Sequence, residues 1–168
     1  MNKKTIIIGF IVFFGIFGFM IWGQSAQKNL AAEKKTETNT KSSLIAVGET
    51  AFDFGTISMK NGKVSHPFSI TNTSKTDILV KKVETSCMCT SAYLLGGAEK
   101  KGPFRMPGMG FVPPADEIIK PGESRQIEAV FDPNAHGPAG VGTVARSVFV
   151  EEESGARLEF NFKAEVTP

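Results

Sequence analysis

The chain predicts an all-β fold, a sandwich of antiparallel sheets set behind one long apolar segment and a polar connector. Three observations lead there. From Val47 onward, apolar residues recur at every second position in short runs, the period of strands with one face buried and one wet. Turn residues punctuate these runs at Asn61-Gly62, Asn72-Thr73-Ser74, Pro121-Gly122 and through Asp132–Gly140. No helical period occurs in the same stretch, so its six or seven strands in about 120 residues are expected to form an Ig-like antiparallel β-sandwich.

The elements follow in order. Ile6–Trp22, IIIGFIVFFGIFGFMIW, holds seventeen residues without a polar side chain, preceded by Lys3 and Lys4. As a helix it would reach roughly 25 Å at about 1.5 Å per residue, close to the thickness of a bilayer core. The two lysines favour a cytoplasmic N-terminus, which puts everything after Trp22 outside the cytoplasm. The competing reading is a cleaved signal peptide. That reading fits less well, because the apolar run is long and GQSA at Gly23–Ala26 is an awkward cut site. Residues 1–23 are therefore expected to be a retained transmembrane anchor, and under either reading the rest lies where disulfides can form. Residues 24–46 are polar and rich in Lys, Thr, Ser and Glu, as expected of a flexible linker.

Residues 47–168 are expected to be the sandwich domain. In its last run, ARLEFNFKAEV, Leu158, Phe160, Phe162, Ala164 and Val166 share one face, and Arg157, Glu159, Asn161, Lys163 and Glu165 share the other. Similar alternation places strands near Ala51–Ile57, Val64–Thr71, Ile78–Thr85, Ser124–Phe131 and Val144–Glu151. Glu151, Glu152 and Glu153 read as a solvated strand end. The segment 94–122 breaks the rhythm with six glycines and five prolines, and is expected to be one long loop. Its central Phe104, Met106, Met109, Phe111 and Val112 suggest that it folds back onto the domain.

Charge narrows the choice of partner. The net charge is +2, but residues 47–168 carry thirteen Lys or Arg against fifteen Asp or Glu. A slightly acidic domain with no run of basic residues longer than two lacks the footprint of a nucleic-acid binder.

Five motifs then occur in order: FDFGTI from Phe52, FSITNTS from Phe68, ILVKKVETSCMCTSA from Ile78, PGES from Pro121 and FDP from Phe131. In this series the chain resembles the bacterial domain of unknown function 1573 family (DUF1573) over about residues 47–166. That family is similar to Ig-like modules of the Hydin and major-sperm-protein type. The resemblance implies a fold and an extracytoplasmic location more than an activity. Two departures stand out: Met88 replaces the glycine of the family's Cys-Gly-Cys-Thr signature, and segment 94–122 is longer than the expected link.

Cys87 and Cys89 are the two cysteines of the chain. In an extended strand they would project from one face with Cα atoms about 6 to 7 Å apart, too wide for an unstrained disulfide unless the chain kinks. A bond closing so small a loop would stabilise little and be easily reduced. Alternatively, the two thiolates and Met88, with Met106 and Met109 from the long segment, form a soft sulfur set suited to a copper ion as Cu(I). Small buried side chains at a strand end are the third reading. His66, before Pro67, and His136, in a Gly-Pro-rich loop, read as turn or surface residues. No nucleophile with a base and an orienting group stands out, nor a Cys-x-x-Cys, and GGAEKKG at Gly96–Gly102 lacks the strand-to-helix context of a phosphate loop.

The leading expectation is a non-enzymatic, membrane-tethered, extracytoplasmic domain that binds another protein or helps assemble the cell envelope. The alternative is a copper-binding or thiol-redox protein centred on Cys87-Met88-Cys89.

Overall fold

The structure, a computed structural model, describes residues 43–168. The transmembrane anchor expected at 1–23, and the linker as far as residue 42, lie outside the described residues. Among the described residues no helix is long and apolar enough to cross a membrane.

The described chain forms ten strands. In order they are β1 (Ile45–Val47), β2 (Ala51–Ser58), β3 (Val64–Asn72), β4 (Ile78–Thr85) and β5 (Thr90–Leu95), then β6 (Lys101–Phe104), β7 (Glu117–Ile119), β8 (Ser124–Phe131), β9 (Gly142–Glu152) and β10 (Arg157–Thr167). They build a two-sheet sandwich, one sheet ordered β1-β3-β8-β5-β6 and the other β2-β10-β9-β4-β7. The alternation in β10 is realised as read: Phe160, Phe162, Ala164 and Val166 are buried while the charged residues between them are exposed. Phe68, Phe104 and Phe160 are fully buried, and burying a side chain of this kind contributes about 2–3 kcal/mol. In β4 the buried phase slips from Ile78 and Val80 to Val83 and Thr85, because a register shift between Val80 and Lys82 inserts an extra residue.

Several expectations need correction. The sandwich is not wholly antiparallel, since β2 runs parallel to β10 at the edge of its sheet. Alternation sets which face a side chain takes but not the direction of the neighbouring strand, so this pairing was not legible. The linker ends earlier than residue 46, because β1 pairs with β3 and the Ser43 hydroxyl is bonded to Glu152. Glu152 itself is buried, held by Ser43 and Ser154, so that strand end is not simply solvated. Segment 94–122 is not one loop. β5 runs into it, β6 pairs back on β5, and β7 pairs on β4, which leaves residues 105–116 as the irregular part.

Two charged side chains of β7 and β8 tie the sheets together away from the cysteines. Glu117 accepts from Arg125 Nε at 2.7 Å and Lys101 Nζ at 2.8 Å, and Arg125 Nη2 donates to Glu123 at 2.9 Å. Burial works against ionisation of Glu117, but Lys101 and Arg125 outweigh it and hold the carboxyl below its ordinary value. Gly97 leaves the room for this group: a Cβ there would stand 2.6 Å from Glu117 Oε1.

The register also separates two ends of the molecule. Ile45 pairs with Asn72 at one end of β3, whereas Val64 at the other end pairs with Phe131, which pairs in turn with Thr90. The chain therefore enters the sandwich at one end and makes its β4–β5 turn at the other.

Candidate functional site

β4 belongs to one sheet and β5 to the other, so residues 86–89 must cross the sandwich in a single tight turn. Backbone groups from three sides fix it. Thr90 N–H donates to the Cys87 carbonyl at 3.1 Å, Ser86 N–H to the Ser147 carbonyl at 3.0 Å, and Asp132 N–H to the Cys89 carbonyl at 2.9 Å. The buried Thr85 hydroxyl lies 3.1 Å from the carbonyls of both Cys87 and Thr90. The turn brings the Cys87 and Cys89 Cα atoms to 5.3 Å, inside the range a disulfide accepts, and the two sulfurs are paired. This is the kink that such a bond requires, supplied by the change of sheet.

The two sulfurs have different surroundings. Cys89 is 2% exposed and Arg146 Nε donates to its sulfur at 3.1 Å. Cys87 is half-buried, and its sulfur lies 3.3 Å from Nε2 of the exposed His136. Arg146 comes from β9, in phase with the buried Val144, Val148 and Val150, so its side chain starts on the core-facing side. His136 comes from the loop after β8, where Asp132 Oδ1 accepts from Asn134 N–H at 2.9 Å and Gly137 N–H donates to the Asn134 carbonyl at 2.9 Å. Gly140 packs close against this loop: a Cβ there would lie 3.2 Å from the Pro133 carbonyl oxygen and 3.4 Å from His136 Cβ. The ligand atoms of Cys87, Cys89 and His136 all fall within 4.8 Å of one another.

Beside the turn lies a cleft of about 260 Å³, bordered by Met88, Cys89, Met109, Lys63, Arg105 and Asp132. Lys63 and Asp132 face each other across 3.7 Å. Of the soft set expected from the sequence, Cys89, Met88 and Met109 border this cleft, and Cys87 is not among the lining residues. Met106 is half-buried and is not among the lining residues. Phe111, expected to fold back, is instead 86% exposed, and Met88 and Met109 are 50% and 42% exposed. His66 is elsewhere, stacked on Phe52 at 3.6 Å with Nε2 2.6 Å from Glu49.

Sequence reasoning missed His136 and Arg146 as members of the site. The signal for Arg146 was present, because an arginine in the buried phase of a strand needs a partner. Nothing local marks His136, which reaches Cys87 from 49 residues away only once the sheets are assembled.

A two-sheet β-sandwich with a Cys-x-Cys pair at a sheet-crossing turn is the class that fold and site define together. Residues 45–102 match the model of the family described as "Protein of unknown function (DUF1573)", which bears out the resemblance over that stretch. The match takes in both cysteines and stops short of His136 and Arg146. No curated protein matches the chain. Among solved structures it is similar to a protein of unknown function from Porphyromonas gingivalis W83, with TM-score 0.53 and 16% identity over 79% of this chain and 51% of that one. The chain thus spans about half the length of that protein. A family 123 glycoside hydrolase from Clostridium perfringens is similar over 70% of this chain and 23% of its own, with TM-score 0.50 and 8% identity. The PapD-like domain 7 of human CEP192 follows at TM-score 0.47 and 15% identity, over 79% of this chain and 92% of that one. At these identities the likeness is one of fold.

Proposed function

We propose that this is a membrane-tethered, extracytoplasmic Ig-like module that works by contact with another protein of the cell envelope and not by catalytic turnover. One observation carries the reading: Met88, Met109 and Phe111, three of the large apolar side chains that the domain leaves exposed, lie in the Cys turn and the neighbouring segment 105–116. Met88 and Met109 border a single cleft there. Grouped exposed apolar side chains mark contact sites, and methionine adapts to varied partners. The apolar run Ile6–Trp22 supports the tether, and the two lysines before it support the orientation.

A photo-crosslinking residue placed at position 111 of the full chain should give discrete protein adducts in the native membrane. The same residue at position 120, at the other end of the sandwich, should give none. Equal patterns from both positions would remove the contact assignment. Protease added to spheroplasts should digest the domain, and protection would place it on the wrong side of the membrane.

A second reading is favoured by the three donors within 4.8 Å. With the pair reduced, Cys87 and Cys89 thiolates and the His136 imidazole form a soft-metal set suited to Cu(I), with Met88 and Met109 nearby. Anaerobic Cu(I) titration of the reduced full chain against a competing chelator tests it. Cys87→Ser and Cys89→Ser should each lose the site, and wild-type binding by both would end this reading.

A further inference from the structure

The two sulfurs of the turn are unequal, and we infer that the pair is a thiol–disulfide exchange site whose partner is a protein dithiol, or a protein disulfide in the reverse direction. The inference rests on the contact reading above, since it names the chemistry of the protein met at that end. Cys87 is the more open sulfur and stands beside an exposed imidazole. Cys89, though on the wall of the cleft, is only 2% exposed and receives a guanidinium N–H. An incoming thiolate is better received at the open sulfur, and the sulfur it releases is best kept beside a fixed cation, because a stabilised thiolate leaves faster.

The pair is also free to open without dismantling its surroundings. Its sequence separation of two closes almost no loop, so it adds little by restricting the unfolded chain. The turn is instead held by the backbone bonds to Ser147 and Asp132 and by Thr85, none of which uses a sulfur. A pair that served only as a staple would need neither a guanidinium nor an imidazole directed at its sulfurs.

The exchange balances as follows. A partner thiolate forms a bond to Cys87 Sγ while the Cys87–Cys89 bond breaks, and the electron pair of that bond stays on Cys89 Sγ, 3.1 Å from Arg146 Nε in the closed pair. The partner's second thiolate then attacks the partner sulfur of the mixed disulfide. Cys87 leaves as a thiolate and takes up a proton from solvent, with His136 Nε2 3.3 Å from its sulfur. Two electrons have passed from the partner, now a disulfide, to the pair, and the protons the partner gave up go to the new thiols and to solvent. Run backwards, the reduced pair reduces a partner disulfide. A single exchange in either direction needs no further oxidant or reductant.

The test begins with full-length Cys89→Ser in its native membrane, quenched with N-ethylmaleimide and separated without reductant. It should yield a protein adduct that dithiothreitol dissolves, formed as the Cys87 thiolate attacks the partner in its disulfide state and the partner's other sulfur leaves as a thiolate, and Cys87→Ser should yield none. No adduct with Cys89→Ser, or equal adducts with both variants, overturns the exchange. Crosslinking from position 111 reports independently on the contact reading, so the two can fail separately. With purified oxidised full chain, reduced glutathione opens the pair, and alkylation counts the thiols released. Arg146→Gln should slow opening about tenfold through its poorer support of the leaving thiolate, and Arg146→Lys should recover most of the rate. A side chain that only fills space would give Gln and Lys the same rate, and an unchanged rate in Arg146→Gln overturns the role assigned to that residue.

Discussion

Two of the polar clusters of this sandwich are built to opposite plans. Glu117, Arg125, Lys101 and Glu123 pair charge with charge at 2.7 to 2.9 Å, with the Glu117 and Arg125 side chains each 10% exposed. Cys87, Cys89, His136 and Arg146 instead direct a guanidinium and an imidazole at sulfur, a weak acceptor that leaves both with capacity to spare, and they do so beside an open cleft. The first cluster is closed and its groups satisfy one another, which suits a fixture between sheets. The second borders the cleft that the exposed Met88 and Met109 line, which suits a site that awaits something from outside. Burial alone therefore does not distinguish structural from functional polar groups; what the partner atoms are does.

The largest effect should come from the closed cluster. Glu117→Ala leaves Arg125 with its inward carboxylate removed and should destabilise the chain by about 3 kcal/mol in a denaturant titration, without altering thiol reactivity. Cost without reactivity is the signature expected of a fixture, and a change in the rate of ring opening would break the separation. Next in size, Cys87→Ser or Cys89→Ser should cost only about 1–2 kcal/mol, because the loop the bond closes is so short. A loss as large as that of Glu117→Ala would make the pair a staple after all.

A pH series sharpens the same contrast. The carboxyl of Glu117 is held below the ordinary value of 4.5, so on acidification the unfolded chain takes up that proton first. The stability contributed by its ion pairs is therefore present above about pH 4.5 and is lost as pH falls through the folded-state value. Exposed Asp53 and half-buried Glu123 are shifted the same way, the first mainly by the Gly55 N–H and the second mainly by the Lys120 N–H. Glu117→Gln should flatten the fall in stability below that point, and parallel wild-type and variant curves would remove Glu117 from the account. Smallest of all, His136→Ala should leave the unfolding free energy within about 0.5 kcal/mol of wild type. A larger loss would put the imidazole among the supports of the fold.

Much of the sandwich could be read from alternation, because burying one face of a strand forces a period of two on its side chains. Six strands follow from it, including all of the inward face of β10. Of the missing strands, β1 and β7 have three residues each, β6 includes Gly102 and Pro103, and β5 sits between the Cys turn and the Gly- and Pro-rich stretch that was read as one long loop. The parallel placement of β2 depends on contacts between distant parts of the chain, which local pattern does not encode. The cysteines were legible as candidates by type and spacing, but a choice between disulfide, metal ligands and small buried side chains was not, since it turns on the kink that the change of sheet supplies. Arg146 and Glu117 could have been found as charges in the buried phase of their strands. His136 could not, since a loop histidine acquires its meaning only from the sulfur that the fold sets beside it.

The separation of the two ends of β3 has a consequence for reach. Eight residue steps lie between Asn72, beside which the described chain begins, and Val64, toward the Cys turn, or roughly 26 Å at about 3.3 Å per step. The described chain thus begins at one end of the sandwich and carries its sulfurs toward the other, so a body that closes over the Cys turn need not touch the strand by which the domain starts.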